Sequence, residues 1–88
     1  MTGEERIKMR SDLLQELYDT YFSKNGMGIK YANDDLRNDS EKGLAYEYLV
    51  EKRYAEKIFP GGRFTEFKIT AYGIDEVESK SPKGDFFM

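Results

Sequence analysis

Apolar residues recur at three- and four-residue spacing over 4–22, stop at Asn25-Gly26, and return with helical spacing over 40–53. Two β-rich runs, 55–59 and 63–69, then flank Pro60-Gly61-Gly62, and the second alternates with a period of two, the step from a helical to a strand period. The first segment predicts an amphipathic helix with Ile7, Leu14, Leu17, Tyr18 and Tyr21 on one face and Leu13 and Phe22 at its edges. Thr2 precedes Glu4 and Glu5, acids that suit the positive start of a helix dipole. Asn25-Gly26 ends it, since glycine accepts the left-handed position past a helix.

Ile29-Lys30-Tyr31 alternates and predicts a very short strand. Residues 33–39 hold one apolar side chain, Leu36, and predict a turn or two of helix capped by Asn33. Their acids lack the glycine and closing glutamate offsets of a calcium loop, so they read as a solvated turn. The second helix, over 40–53, has Leu44, Ala45, Tyr48 and Leu49 as its expected buried stripe. Pro60-Gly61-Gly62 between two β-rich runs predicts a hairpin pairing 57–59 with 63–69, with Thr65, Phe67 and Ile69 on one face. Thr70 is expected to cap a last helix by accepting from the amide of Tyr72 or Gly73, with Ile74 and Val77 on its apolar side. Leu14, Leu17, Tyr21, Leu36, Leu49, Phe67 and Ile69 should share one core.

These elements place the chain in the α+β class: three to four helices and a small antiparallel sheet of two to three strands. Residues 1–78 form one domain and 79–88 a flexible C-terminal tail ending on Phe86-Phe87-Met88. Their order is that of a winged helix, and 49–78 resembles the family in detail. Leu49-Val50-Glu51-Lys52-Arg53-Tyr54-Ala55-Glu56-Lys57 resembles the end of the recognition helix and the start of the wing in MarR-like and PadR-like repressors. Ile69-Thr70-Ala71-Tyr72-Gly73-Ile74 resembles their wing exit, where the Thr caps a helix and the Gly presses it against the wing strand. Arg53 stands where that family usually has a left-handed Gly, and the first helix of the helix-turn-helix is shorter and more acidic than usual. The resemblance implies a transcriptional regulator that binds double-stranded DNA as a homodimer.

Composition narrows the chemistry. With no Cys and no His, thiolate and imidazole metal sites, Cys nucleophiles and His acid–base catalysis are excluded, as is a disulfide framework. Glycine pairs lack the strand–loop–helix setting that cradles phosphate, and carboxylate pairs such as Asp34-Asp35 are sequence neighbours expected in solvent. No catalytic residue, metal or cofactor is expected. No apolar run reaches membrane-spanning length and the start is acidic, so the expectation is a cytoplasmic protein without membrane association.

Net charge is −3, and even 40–70, with six basic and five acidic groups, is no basic stripe. With the expected stripe inward, the second helix presents Gly43, Tyr46, Glu47, Val50 and Tyr54; a rotated phase buries Tyr46 and leaves Gly43, Glu47 and Val50 outward. Neither phase gives the centre of that face a base-reading cation. Candidate DNA contacts are therefore Arg37, Lys42, Tyr46, Lys57 and Arg63, mostly to phosphates. The alternative is a protein-interaction module, a homodimer or a subunit of a larger assembly, with Leu13, Phe22, Val50, Phe86 and Phe87 as candidate interface. The dimer is expected through the first helix, whose apolar stripe is wide for a single small domain.

Overall fold

A reciprocal capping box starts the chain's structure. In the computed structural model, which describes residues 1–79, the Thr2 hydroxyl accepts from the Glu5 amide (3.1 Å) and the Glu5 carboxylate accepts from the Thr2 amide (2.7 Å). This opens α1 (Gly3–Ser23), which closes where Asn25 and Gly26 both take positive φ and Gly26 N–H donates to Tyr21 C=O at 2.7 Å. There follow β1 (Ile29–Ala32), α2 (Asn33–Asn38), α3 (Ser40–Glu51), β2 (Ala55–Gly61), β3 (Phe64–Ile69) and α4 (Ala71–Ser79). Among the described residues four helices thus accompany one three-stranded antiparallel sheet of order β1-β3-β2. The α+β class is as the sequence implies.

The sheet's alternation is clean on β3: Thr65, Phe67 and Ile69 are buried under the helices. The hairpin is longer than the pattern predicts, with Ala55 opposite Ile69 and Gly61 opposite Phe64. An irregularity between Ile58 and Gly61 absorbs Pro60, whose missing N–H cannot join a ladder. Gly61 and Gly62 take φ of 123° and 64°, the values that favour glycine in this turn.

Leu14, Leu17, Leu49, Phe67 and Ile69 are buried together as expected, while Tyr21 and Leu36 are half-buried against them. Leu13 is buried too, because α1 is covered by α3 along one flank and by β3 and α4 along another. Its place in a partner interface is therefore overturned: Leu13→Glu would bury a charge in the core rather than split a dimer. Ile7 departs in the other direction, 60 % exposed. The opening turns of α1 meet α3 through Arg6, which pairs with Glu41, and Arg10, which lies over Tyr48, while Ile7 itself stays in solvent.

The rotated phase of α3 is the one adopted. Ala45, Tyr46 and Leu49 are buried, whereas Leu44 and Tyr48, expected inward, face solvent. The cause is Tyr46, fully buried, whose ring stacks on Phe67 (centroids 4.1 Å apart, planes 6° apart) and whose hydroxyl meets that of Tyr31 at 2.7 Å. Tyr46 as a DNA contact is thereby overturned. Asn33 is not the cap of α2 either. Ala32 precedes the helix with no side-chain cap, and the Asn33 amide oxygen accepts from the Thr65 hydroxyl (2.5 Å), tying α2 to β3.

Thr70 accepts from the Gly73 amide at 3.1 Å and donates to the Arg53 carbonyl at 2.5 Å. One hydroxyl thus caps α4 and holds the turn between α3 and β2. Arg53 takes a φ of 65° there, a conformation that costs a non-glycine residue about 1 kcal/mol. Its side chain is exposed. Arg53→Gly is expected to stabilise the fold by about 0.5–1 kcal/mol, the relief exceeding the entropy glycine adds to the unfolded chain. Urea unfolding checks it, and a loss of stability would contradict the strain.

α4 runs through Ser79, the first residue of the expected tail. Residues 80–88, and with them Phe86 and Phe87 as candidate interface, lie outside the described residues. No described helix is long and apolar enough to cross a membrane.

Candidate functional site

β2 outruns the helices that cover the sheet. Ala55, Lys57 and Phe59 share its inner face by two-residue alternation, but only Ala55 is roofed and buried. The inner face beyond it, with the outer flanks of α2 and α3, bounds a groove of about 460 Å³. Leu36, Leu44, Phe59 and Phe67 supply its apolar lining, and Arg37, Glu47 and Lys57 its charges. Leu44 is 65 % exposed and Phe59 69 %, and unlike the similarly exposed Ile7 and Tyr72 the two border one depression.

The cations are already engaged. Lys57 Nζ lies 2.6 Å from the Glu47 carboxylate and 5.8 Å from the Phe59 ring centroid. Arg37 pairs with Asp34 one turn earlier on α2. Lys42 lies outside the groove lining, its Nζ 4.6 Å above the Tyr31 ring, where it covers the Tyr31–Tyr46–Phe67 cluster. Arg63 sits in the hairpin turn, its carbonyl accepting from the Asn33 amide at 2.7 Å, and its guanidinium has no partner among the described residues. Of the five candidate DNA contacts, the fold thus gathers Arg37 and Lys57 in one groove and fixes Arg63 by its backbone to the start of α2. Lys42 packs on an aromatic ring and Tyr46 is lost to the core.

A smaller hollow of about 130 Å³ lies on the other side of Leu44, between α1 and α3. Arg6 grips Glu41 there through two bonds of 3.0 and 2.9 Å, which hold the Glu41 carboxyl below its ordinary pKa. Arg10 stacks on Tyr48 with its guanidinium carbon 4.1 Å from the ring centroid. Leu44 is therefore a ridge between two depressions. The other candidate interface residues are less available. Val50 is half-buried against the core, and Phe22, 56 % exposed, leans on Tyr18 (4.9 Å) and Tyr21 (5.2 Å).

Ionisable groups here have structural partners. Burial and the bond with Tyr31 push the Tyr46 phenol far above its ordinary pKa, so it stays protonated. The Tyr18 phenol is raised by its hydrogen bond to Glu78, 2.9 Å away, a link between α1 and α4. No three metal-ligating side chains converge among the described residues.

The exposed pair Leu44 and Phe59 escapes sequence reasoning. Leu44 is hidden by the wrong helix phase, whereas Phe59 is signalled by its place two residues beyond Lys57 on a strand longer than the helix beside it. No protein-family model, no curated protein and no solved structure matches the chain.

Proposed function

We propose that this chain is a non-catalytic, winged-helix-like module that binds another protein through the groove between α2, α3 and the β2–β3 hairpin. The order helix, strand, two short helices, hairpin, helix supports the winged-helix reading, with α3 as recognition helix and the hairpin as wing. The observation that carries the function is the exposure of Leu44 and Phe59 over an apolar groove. Burying two such side chains against a partner contributes about 1.5–3 kcal/mol each, a hot-spot scale.

Duplex DNA would meet that face differently. α3 carries Glu41, Glu47 and Glu51 against Lys42, and even with Arg6 paired to Glu41 and Lys57 to Glu47 that face brings no net positive charge toward phosphates. To reach phosphate, Lys57 and Arg37 would have to leave Glu47 and Asp34. Arg63 at the turn, whose guanidinium meets no partner among the described residues, is what favours a DNA-binding transcriptional regulator. One further cation on an otherwise neutral face is little to hold a duplex.

Two measurements decide. A photo-reactive benzoylphenylalanine in place of Phe59, irradiated in native host cells, is expected to give a protein adduct, while the same group in place of Tyr72 on α4 gives none. A labelled duplex of about 20 base pairs is expected to show no binding at about 50 mM salt. Absence of an adduct at position 59 overturns the reading. So does micromolar duplex binding whose log affinity falls with log salt at a slope near −3 and flattens by about one in Arg63→Ala.

A further inference from the structure

We infer that residues 80–88 of this chain dock on its own Phe22 and close the far end of α1 to other partners. None of the residues that line the groove takes part.

Place is the first argument. The final turn of α4 is tied to α1 where the Tyr18 hydroxyl donates to the Glu78 carboxylate at 2.9 Å. The Tyr18 ring lies 4.9 Å from that of Phe22, one turn further on, and Tyr21 adds an edge-on ring at 5.2 Å from it. Phe22 is thus one contact from the point where the chain leaves Ser79, yet it is 56 % exposed. Phe86-Phe87-Met88 follows after a spacer of six residues, Lys80 to Asp85, which spans at most about 20 Å. That is ample for a return to a ring so near the exit. A segment tethered by so short a spacer acts at an effective concentration on the order of millimolar, which places it ahead of a free partner at micromolar levels.

Charge is the second argument. α4 carries Asp75, Glu76 and Glu78 without a base, and α1 has Asp19 beside Tyr18 and no base in its last turn. Glu78 accepts from a neutral phenol, so the bond leaves its charge in place. Residues 80–88 hold Lys80 and Lys83 against Asp85, a net +1, so the residues before them carry −4 of the chain's −3. Cations that follow a helix C-terminus also suit the negative end of its dipole. The two lysines of the spacer therefore match the acids of α4, and the two phenylalanines match the exposed ring of Phe22. Phe22, Phe86 and Phe87 then satisfy one another within one chain. A partner for this end of α1 has to displace the segment first.

Paramagnetic broadening of amide resonances in the 88-residue chain tests this, and the absence of native Cys makes the label unique. With a nitroxide on Asp85→Cys, the amides of residues 19–23 are expected to lose intensity, while those of Leu44 and Phe59 keep theirs. Phe22→Ser, at an exposed position, is expected to restore the lost intensity without disturbing the rest of the spectrum. Phe86→Ala with Phe87→Ala should do the same, and Lys80→Glu with Lys83→Glu should restore it in part. Mixing nitroxide-labelled chain without isotope and isotope-enriched chain without nitroxide separates the sources: docking within one chain gives no loss in the mixture. Full intensity at 19–23 overturns the inference. So does loss at Leu44 and Phe59 instead, loss that survives Phe22→Ser, or loss that appears in the mixture. None of these outcomes alters the cross-linking result at position 59, so the groove reading stands or falls separately.

Discussion

Tyr46→Ala is expected to remove about 3–5 kcal/mol of stability, enough to leave a chain of 88 residues largely unfolded at 25 °C. The residue is fully buried, and its ring stacks on Phe67 and meets Tyr31 at a tilt, joining α3 to β3 and β1. Alanine leaves a cavity that three elements would have to close, and the Asn33–Thr65 and Lys42–Tyr31 contacts beside it resist that movement. Tyr46→Phe separates packing from polarity. It keeps the ring, deletes one hydroxyl, and leaves the half-exposed Tyr31 hydroxyl able to find water, so about 1 kcal/mol is expected. The pH dependence has a fixed sign. Burial raises the folded Tyr46 pKa above its unfolded value, so the contribution is complete below the ordinary phenol pKa of about 10 and declines as pH rises past it. Tyr46→Phe should remove that part of the alkaline slope. Urea unfolding followed by circular dichroism between pH 7 and 11 reads all of this. A cost below about 1.5 kcal/mol for Tyr46→Ala would show that the stack is not the centre of the core.

The α+β class and most of the elements were legible because their signals are local. Thr2 before Glu4 and Glu5, Asn25-Gly26 and Thr70 with Gly73 each act within a few residues and lie where the pattern put them. The hairpin turn instead falls at Gly62-Arg63, two residues beyond the expected start, with Pro60 and Gly61 inside β2. The phase of α3 was not legible. Leu44, Ala45, Tyr46, Tyr48 and Leu49 give apolar side chains on nearly every side of the helix, so periodicity leaves two rotations open. The choice falls to the slot between Tyr31 and Phe67, made by strands distant in sequence, which fits a ring and not a leucine. Half of the groove follows from that rotation, because turning Tyr46 inward turns Leu44 outward. The other half follows from an inequality of length: β2 extends past the helices above it, and Phe59 lies on the excess. Ion pairs such as Glu47–Lys57 are likewise tertiary, and sequence could only classify both residues as surface charges.

Gly73→Ala is expected to destabilise the fold by about 3 kcal/mol, although alanine is the better helix former by about 1 kcal/mol. A Cβ at Gly73 would lie 2.2 Å from the Tyr54 carbonyl oxygen and 2.6 Å from Ile69 Cγ1. Neither neighbour is free to retreat. The Tyr54 carbonyl accepts from Thr70 N–H (3.0 Å), the Tyr54 amide donates to Leu49 C=O (2.9 Å), and Ile69 is a buried core residue of β3. Gly43→Ala is the matched control, also inside a helix, where the nearest atom to a new Cβ is the Leu36 carbonyl oxygen at 3.4 Å. There the propensity term should prevail and stability hold or rise. In thermal melts the pair should separate, Gly73→Ala falling by about 10–20 °C and Gly43→Ala not falling. A Gly73→Ala chain as stable as the parent would mean that α4 does not press on the hairpin root. If it does, the consequence reaches the groove. Tyr54 and Ile69 are the root of β2 and β3, so an α4 forced outward at Gly73 tilts the hairpin that carries Lys57 and Phe59 away from Glu47 and Leu44. Gly73→Ala chains that still fold should therefore also bind more weakly through the groove, without any change in a residue that lines it.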